Sequence, residues 1–304
     1  MQIRDVLPRD AIPSIDTPQY GADYFGSDDD EVLVAEGTPP RAYPLRILSY
    51  HEVVNADGVA VTWCPICGSA VVYDAMVDGE SLTFGVSGKL ADDGLVLYDR
   101  QTDSEWHQPT GRCLAGPHEG RQLTARPARL LTYGRFRAAY PNGEVLQPAR
   151  SGDPAVVYDM DPYEAYFARD AFGLHGMRGE GEPQTWDRDD LAPKDVVLDV
   201  GSDADAVAFP RQRVAAAGGL VRETVAGQAL LIVLGDGELH AYEAPGFPIE
   251  RADGNAPLSG DGTTWDPATG HSDDGRQLTP APARRLFAFA WQDAHGADAF
   301  WRDM

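Results

Sequence analysis

Apolar positions along the chain change their period several times, and the changes mark out short elements. Val59 to Trp63 and Ala70 to Tyr73 are β-branched or aromatic runs, which predicts two strands flanking the turn Cys64-Pro65-Ile66-Cys67-Gly68. A strand ending at Ala42-Tyr43-Pro44 precedes Leu45 to Val54, where Leu45, Leu48 and Val53 recur at helical spacing. Ser81 to Val86 and Leu95 to Arg100 read as further strands. Leu131 to Tyr140 reads as a helix stopped by Pro141-Asn142-Gly143. A short helix is expected at Asp161-Pro162-Tyr163-Glu164-Ala165-Tyr166-Phe167, with Asp161 as its cap and Pro162 at the first helical position. Gly173 to Pro193, rich in Gly, Pro, Asp and Glu, reads as a solvated loop.

The pattern occurs twice. Gly120-Arg121-Gln122-Leu123-Thr124 with Pro127-Ala128-Arg129 returns as Gly275-Arg276-Gln277-Leu278-Thr279 with Pro282-Ala283-Arg284. Trp106 before Thr110-Gly111 matches Trp265 before Thr269-Gly270, and Ala42-Tyr43-Pro44 matches Ala208-Phe209-Pro210. Three matches in one order predict an internal duplication. The expected organisation is an acidic leader at 1–30, a first repeat at 31–147, a connecting helix and loop at 148–193, and a degenerate second repeat at 194–304. The fold class is α+β, β-rich and mostly antiparallel, with the two tandem copies related by a pseudo-twofold.

Composition narrows the partners. The chain has 304 residues, 43% of them apolar, enough to bury a full core. Its formal net charge is −23. Only Lys89 and Lys194 are lysines, so 23 of the 25 basic residues are arginine, and aspartate far outnumbers glutamate. An acidic, lysine-poor surface of this kind suits a salt-rich, halophilic cytoplasm, where screening suppresses self-repulsion. It argues against nucleic acid and anionic membrane as partners, and leaves a small-molecule ligand open. No apolar leader or spanning segment is visible, so a cytoplasmic location with reduced thiols is expected.

Candidate chemistry centres on Cys64 and Cys67. A C-x-x-C pair can hold a metal ion or cycle between dithiol and disulfide. A gapless match of Gly58 to Gly227 sets Cys64 on Val233 and Cys67 on Asp236, so the second repeat builds its hairpin as Gly-Asp-Gly without thiols. That comparison shifts the cysteines from structure toward function. The second repeat also lacks a segment corresponding to Ser81–Leu90, which is expected beside the thiols. Its Gly85-Val86-Ser87-Gly88-Lys89 lacks the first glycine and the final Ser or Thr of a phosphate loop.

Arg41-Ala42-Tyr43-Pro44-Leu45-Arg46-Ile47-Leu48, His51-Glu52-Val53-Val54-Asn55, Cys64-Pro65-Ile66-Cys67-Gly68-Ser69-Ala70, Phe84-Gly85-Val86-Ser87-Gly88 and Tyr98-Asp99-Arg100-Gln101-Thr102 resemble, together, a widespread prokaryotic family catalogued as a domain of unknown function. The resemblance implies the duplicated architecture, and supplies no activity. It places His51, Cys64, Cys67, Ser69, Ser87, Tyr98, Arg100 and Trp106 on motif positions; Cys113 falls outside the pattern. Three functions are expected. The first is a Zn or Cu site with Cys64, Cys67 and His51 as ligands, able to act as an enzyme centre if one position stays open. The second is a dithiol/disulfide redox protein. The third is a non-catalytic ligand-binding module in which the cysteines stiffen a turn. Ser69, Ser87, Tyr98 and Arg100 are the candidate pocket residues.

Overall fold

The computed structural model describes residues 1–149, 157–201, 205–254 and 256–303. Residues 150–156, part of the expected connecting segment, lie outside the described residues. Strands hold 39% of the chain and helices 14%, so the fold is β-rich, and its ladders are antiparallel except for Glu144–Leu146 beside Arg41–Pro44.

The two halves share an order of elements at their starts and ends and differ between them. In the first, strands Glu31–Ala35 and Arg41–Pro44 lead through helix Leu45–His51 into the meander Val53–Ala56, Val59–Cys64 and Ser69–Asp74; strand Ala128–Thr132 and helix Tyr133–Ala139 follow later. In the second, strands Val196–Val200 and Val207–Pro210 lead through helix Arg211–Ala216 into the meander Leu220–Val225, Gln228–Gly235 and Glu238–Glu243; strand Ala283–Phe287 and helix Ala288–His295 follow.

The central seven-stranded sheet draws on both halves. It joins Val207–Pro210, Val196–Val200 and Ala283–Phe287 to the first-half meander through an Arg285–Ala70 bridge, with Ala125–Arg126 paired off the main path. Its meander is buried on both faces. Val53, Ala60, Cys64, Val71 and Tyr73 enter one apolar cluster, while Val54, Val61, Trp63 and Val72 enter another. Successive strand residues point to opposite faces, so a sheet covered on both sides reads as continuous apolar runs. Trp63 and Cys64, one residue apart, therefore face different cores.

Several boundaries differ from the sequence expectation, each for a local reason. The helix from Leu45 stops at His51, because Glu52 turns left-handed at φ 57° and Val53 starts a ladder with Thr62. Leu131 and Thr132 belong to a strand, and the helix begins at Tyr133 with the Thr132 side chain accepting from the Arg135 amide. Tyr163, rather than Asp161, caps the short helix Glu164–Phe167; the Asp161 carboxylate accepts from the Tyr163 amide at 2.9 Å. A helix, Gly173–Arg178, forms inside the expected loop.

Two points of the half-to-half comparison also change. Cys64 pairs with Ser69 across four turn residues, whereas Gly235 pairs with Glu238 across Asp236-Gly237 alone. The second-half strand thus runs two residues further and its turn is two shorter, so the gapless match of Cys67 to Asp236 does not describe the ladders. Between the second-half meander and Ala283–Phe287, strands Glu250–Arg251, Leu258–Gly260 and Thr263–Trp265 form a small three-stranded sheet.

Two buried arginines cross between the halves. Arg129 binds Glu36 at 2.5 Å and donates to the Thr269 carbonyl at 2.6 Å. Arg284 binds Asp199 at 2.6 Å and donates to the Thr110 carbonyl at 2.8 Å. Removing Arg284 leaves a buried, uncompensated carboxylate, and breaking such a pair costs about 3–5 kcal/mol. In denaturant unfolding, Arg284→Met is expected to lose stability in that range, and Arg284→Met combined with Asp199→Leu to recover most of it. A single-variant loss below about 1 kcal/mol would contradict the role.

Candidate functional site

Cys64 ends the strand Val59–Cys64, and Cys67 sits in the turn that returns the chain at Ser69. The turn is held from three sides. The Tyr166 hydroxyl donates to the Ile66 carbonyl at 2.6 Å, the Phe287 amide to Cys67 at 2.8 Å, and the Arg285 guanidinium to Gly68 at 2.7 Å. Gly68 has φ 59°, and a Cβ there would meet the Phe287 ring at 2.8 Å. Both the turn and the packing require glycine.

Both thiols are free and buried. Burial pushes the Cys67 thiol well above its ordinary range and the adjacent Cys64 thiol adds to this, while hydrogen bonds with the backbone of Ser69 and Leu95 oppose it. Cys67 is therefore a protonated thiol at neutral pH, with a second sulfur beside it.

Cys64 also lines a cavity of about 50 Å³. Its walls include Leu7 and Ile12 from the leader, Val86 and Leu90 from the Phe84–Ala91 strand, and Glu52, Tyr163 and Arg178. Glu52 is the unexpected member. Its backbone carbonyl accepts from the Trp63 amide at 2.9 Å, which sets it beside the residue preceding Cys64. Oε1 accepts from the Tyr163 hydroxyl at 3.2 Å, and Oε2 is buried with no hydrogen-bond partner among the described residues. Burial raises its pKa to about 7, opposed by the Tyr163 hydrogen bond and the Arg178 charge. A buried carboxylate with a free oxygen and a pKa near neutrality can take up and return a proton.

Of the other sequence candidates, Ser69 lies beside the thiols, paired with Cys64 across the ladder, and the rest are placed elsewhere. His51 Nδ1 lies 2.7 Å from the Pro13 carbonyl and Nε2 lies 2.9 Å from the Tyr158 hydroxyl. The carbonyl can only accept, so Nδ1 carries the proton. With both nitrogens engaged, His51 ties leader to connector. Among the described residues, no group of three His, Cys, Asp or Glu side chains is arranged to hold a metal ion. Ser69 is fully buried with no hydrogen-bond partner for its hydroxyl among the described residues, and Ser87 donates to the Val96 carbonyl at 2.5 Å. Tyr98 donates to Asp10 at 2.5 Å; Arg100 pairs with Asp10 at 3.5 Å and Asp16 at 3.3 Å. These two fasten the leader. None of Ser69, Ser87, Tyr98 and Arg100 lines the Cys64 cavity. The glycine turn after Ser87 does admit a backbone, that of the leader: the Val6 and Leu7 amides both donate to Gly88 at 2.9 Å.

Glu52 and Tyr163 both stand inside motifs visible in the sequence. Nothing there shows that Glu52 leaves the helix or that Tyr163, more than a hundred residues later, reaches it.

Comparison with curated proteins and with solved structures finds no match for the chain. A family model matches residues 9–298, nearly the whole length, and the chain accordingly belongs to the family described as "Protein of unknown function (DUF3179)".

Proposed function

We propose that the protein is a thiol-based redox protein in which Cys64 and Cys67 form the dithiol/disulfide couple and Glu52 serves as proton acceptor. The observation that carries this reading is the unpartnered Glu52 oxygen at a cavity that Cys64 also lines. A cavity of about 50 Å³ has room for a few waters or one small oxidant. A small hydroperoxide fits it.

In the forward step, the Cys64 thiol passes its proton to Glu52 and its sulfur attacks a peroxide oxygen. The O–O bond breaks, and the departing hydroxide takes the proton back from Glu52 as water. Cys67 then displaces the second hydroxyl from the Cys64 sulfenic acid, forming the disulfide and a second water. Two thiols and one hydrogen peroxide give one disulfide and two waters. A small thiol reductant reverses the oxidation.

A metal centre has less support. It is left with two protein sulfurs, since both His51 nitrogens are engaged. The ligand-module reading does not account for a buried carboxylate at the thiol cavity. The duplication belongs to the same proposal: the matching order of elements and the reciprocal reach of Arg129 to Thr269 and Arg284 to Thr110 support two copies about a pseudo-twofold. On this reading one copy keeps the chemistry and the other clamps it.

Three outcomes follow. Stoichiometric hydrogen peroxide is expected to remove two of three titratable thiols in denatured wild-type protein and to join Cys64 to Cys67 by mass spectrometry; Cys67→Ser should stop at a sulfenic acid that dimedone traps. Two thiols that never pair reject the couple. Protein purified without chelator should contain no stoichiometric Zn or Cu, and a full equivalent that disappears in Cys64→Ser would establish the metal reading instead.

The third concerns pH. Glu52 has a folded pKa of about 7, above the ordinary carboxylate value, so the folded state holds the proton more tightly than the unfolded chain. Stability attributable to Glu52 is present below the unfolded pKa and is lost as pH rises through about 7. Glu52→Gln is expected to remove that loss, gaining up to ~3 kcal/mol over wild type at pH 8 relative to pH 4. It should also slow peroxide oxidation of Cys64 and abolish a rate inflection near neutral pH. Unchanged oxidation kinetics would remove Glu52 from the mechanism.

A further inference from the structure

A second cavity, of about 420 Å³, lies on the other face of the same strand. Residues from the first half, the connector and the second half wall it. Trp63, Tyr158, Phe167 and Phe287 supply rings and Leu45 an aliphatic surface; Arg46, Arg285, Asp30, Glu31, Asp159 and Asp161 supply charge. The size falls within the usual range for small-molecule sites, and the mixture of rings with a few convergent polar groups is typical of them.

Unanswered groups define the ligand. Trp63 is 3% exposed, and its Nε1–H has no acceptor among the described residues. Arg285 Nε–H likewise lacks a hydrogen-bond acceptor, with Glu238 at 3.5 Å as an ion-pair partner only. At this cavity Trp63 Nε1–H is a buried donor with no acceptor among the described residues, and Arg285 Nε–H has only the Glu238 carboxylate at 3.5 Å, so an incoming oxygen has a donor and a guanidinium to meet. Arg285 is held in place by its bond to the Gly68 carbonyl. Arg46 is matched by Asp30 at 3.3 Å.

The mouth has the opposite demand. Glu31, Asp159 and Asp161 line it with carboxylates; burial raises the Glu31 pKa, the Arg285 and Arg211 charges oppose this, and Glu238 and Asp161 add to it. A plain anion would meet Glu31, Asp159 and Asp161. A plain cation would meet Arg285 and leave the Trp63 donor unanswered. A molecule carrying both charges answers the whole wall.

We infer that this cavity binds a small ammonium–carboxylate zwitterion of the α-amino acid class. Its carboxylate lies at Trp63 Nε1 and Arg285, its ammonium at Glu31, and its side chain against the rings. This site does not depend on the thiol chemistry.

The test is calorimetric titration of the full chain with L-phenylalanine and L-leucine. Parallel titrations use 3-phenylpropionate, which lacks the ammonium, and phenylalaninamide, which lacks the carboxylate. At least one amino acid is expected to saturate, and each analogue to bind about tenfold or more weakly than phenylalanine, as loss of a charge-assisted contact implies. Glu31→Gln should weaken phenylalanine while leaving 3-phenylpropionate unaltered. Trp63→Phe keeps a ring, removes the donor, and should weaken phenylalanine while sparing phenylalaninamide. If Trp63→Phe does not fold, Glu31→Gln decides alone. The inference is overturned if neither amino acid saturates, if both analogues match phenylalanine, or if Glu31→Gln binds phenylalanine as the wild type does.

Discussion

Three consecutive carbonyls of the CPICG turn, those of Ile66, Cys67 and Gly68, point into protein rather than water. Each needs a donor, because a buried backbone oxygen left unpaired costs about 1–3 kcal/mol. Tyr166, Phe287 and Arg285 provide them from the connector and the second half. The first half contributes the Cys64–Ser69 ladder pair and a Gly68 amide bond to the Pro65 carbonyl at 3.3 Å, while the donors to these three carbonyls come from outside it. That dependence explains why the central sheet is assembled across the halves at Arg285 and Ala70, and why the Phe287 ring occupies the space a Gly68 side chain would need. The second half is a support whose donors aim at one turn.

Unfavourable features collect next to that support. Glu52 adopts a left-handed backbone conformation that non-glycine residues rarely take, and buries a carboxylate with one oxygen unsatisfied. Cys67 is held as a thiol where its charged form is disfavoured. A fold optimised for stability would replace Glu52 with an apolar residue. Keeping it requires compensation, which the two apolar clusters on either face of the meander and the buried Arg129 and Arg284 pairs can provide.

The β-rich, mostly antiparallel class and the two strands flanking the CPICG turn were legible in the chain, because they rest on local period and on residue types with few uses. The thiol cavity was not. Leu45, Leu48 and Val53 share helical spacing, so the pattern runs on through Glu52, and only the ladder between Val53 and Thr62 reveals that the helix has ended. His51 looked like a ligand because it stands on a motif position shortly before the cysteine hairpin. Its nitrogens answer to Pro13 and Tyr158, contacts that no spacing rule reports. Tyr98 and Arg100 stood out for their chemistry and serve to fasten the leader. Arginine enrichment carried a second meaning as well. Arg129 and Arg284 each satisfy a carboxylate and a carbonyl at once, a task suited to a planar, many-donor guanidinium and poorly suited to lysine.

The alternation of the strand Val59–Cys64 joins the two cavities. Trp63 faces the larger one and Cys64 the smaller, so the walls of both are set by one short segment of backbone. Arg285 makes the connection tighter, since the guanidinium at the larger cavity also holds the Gly68 carbonyl of the thiol turn. A molecule that drew Arg285 toward itself would loosen the bond closing the turn, and one that fixed Arg285 in place would strengthen it. Coupling between the sites needs no moving domain. It requires only that one guanidinium be shared between a carbonyl of the turn and whatever occupies the space above Trp63.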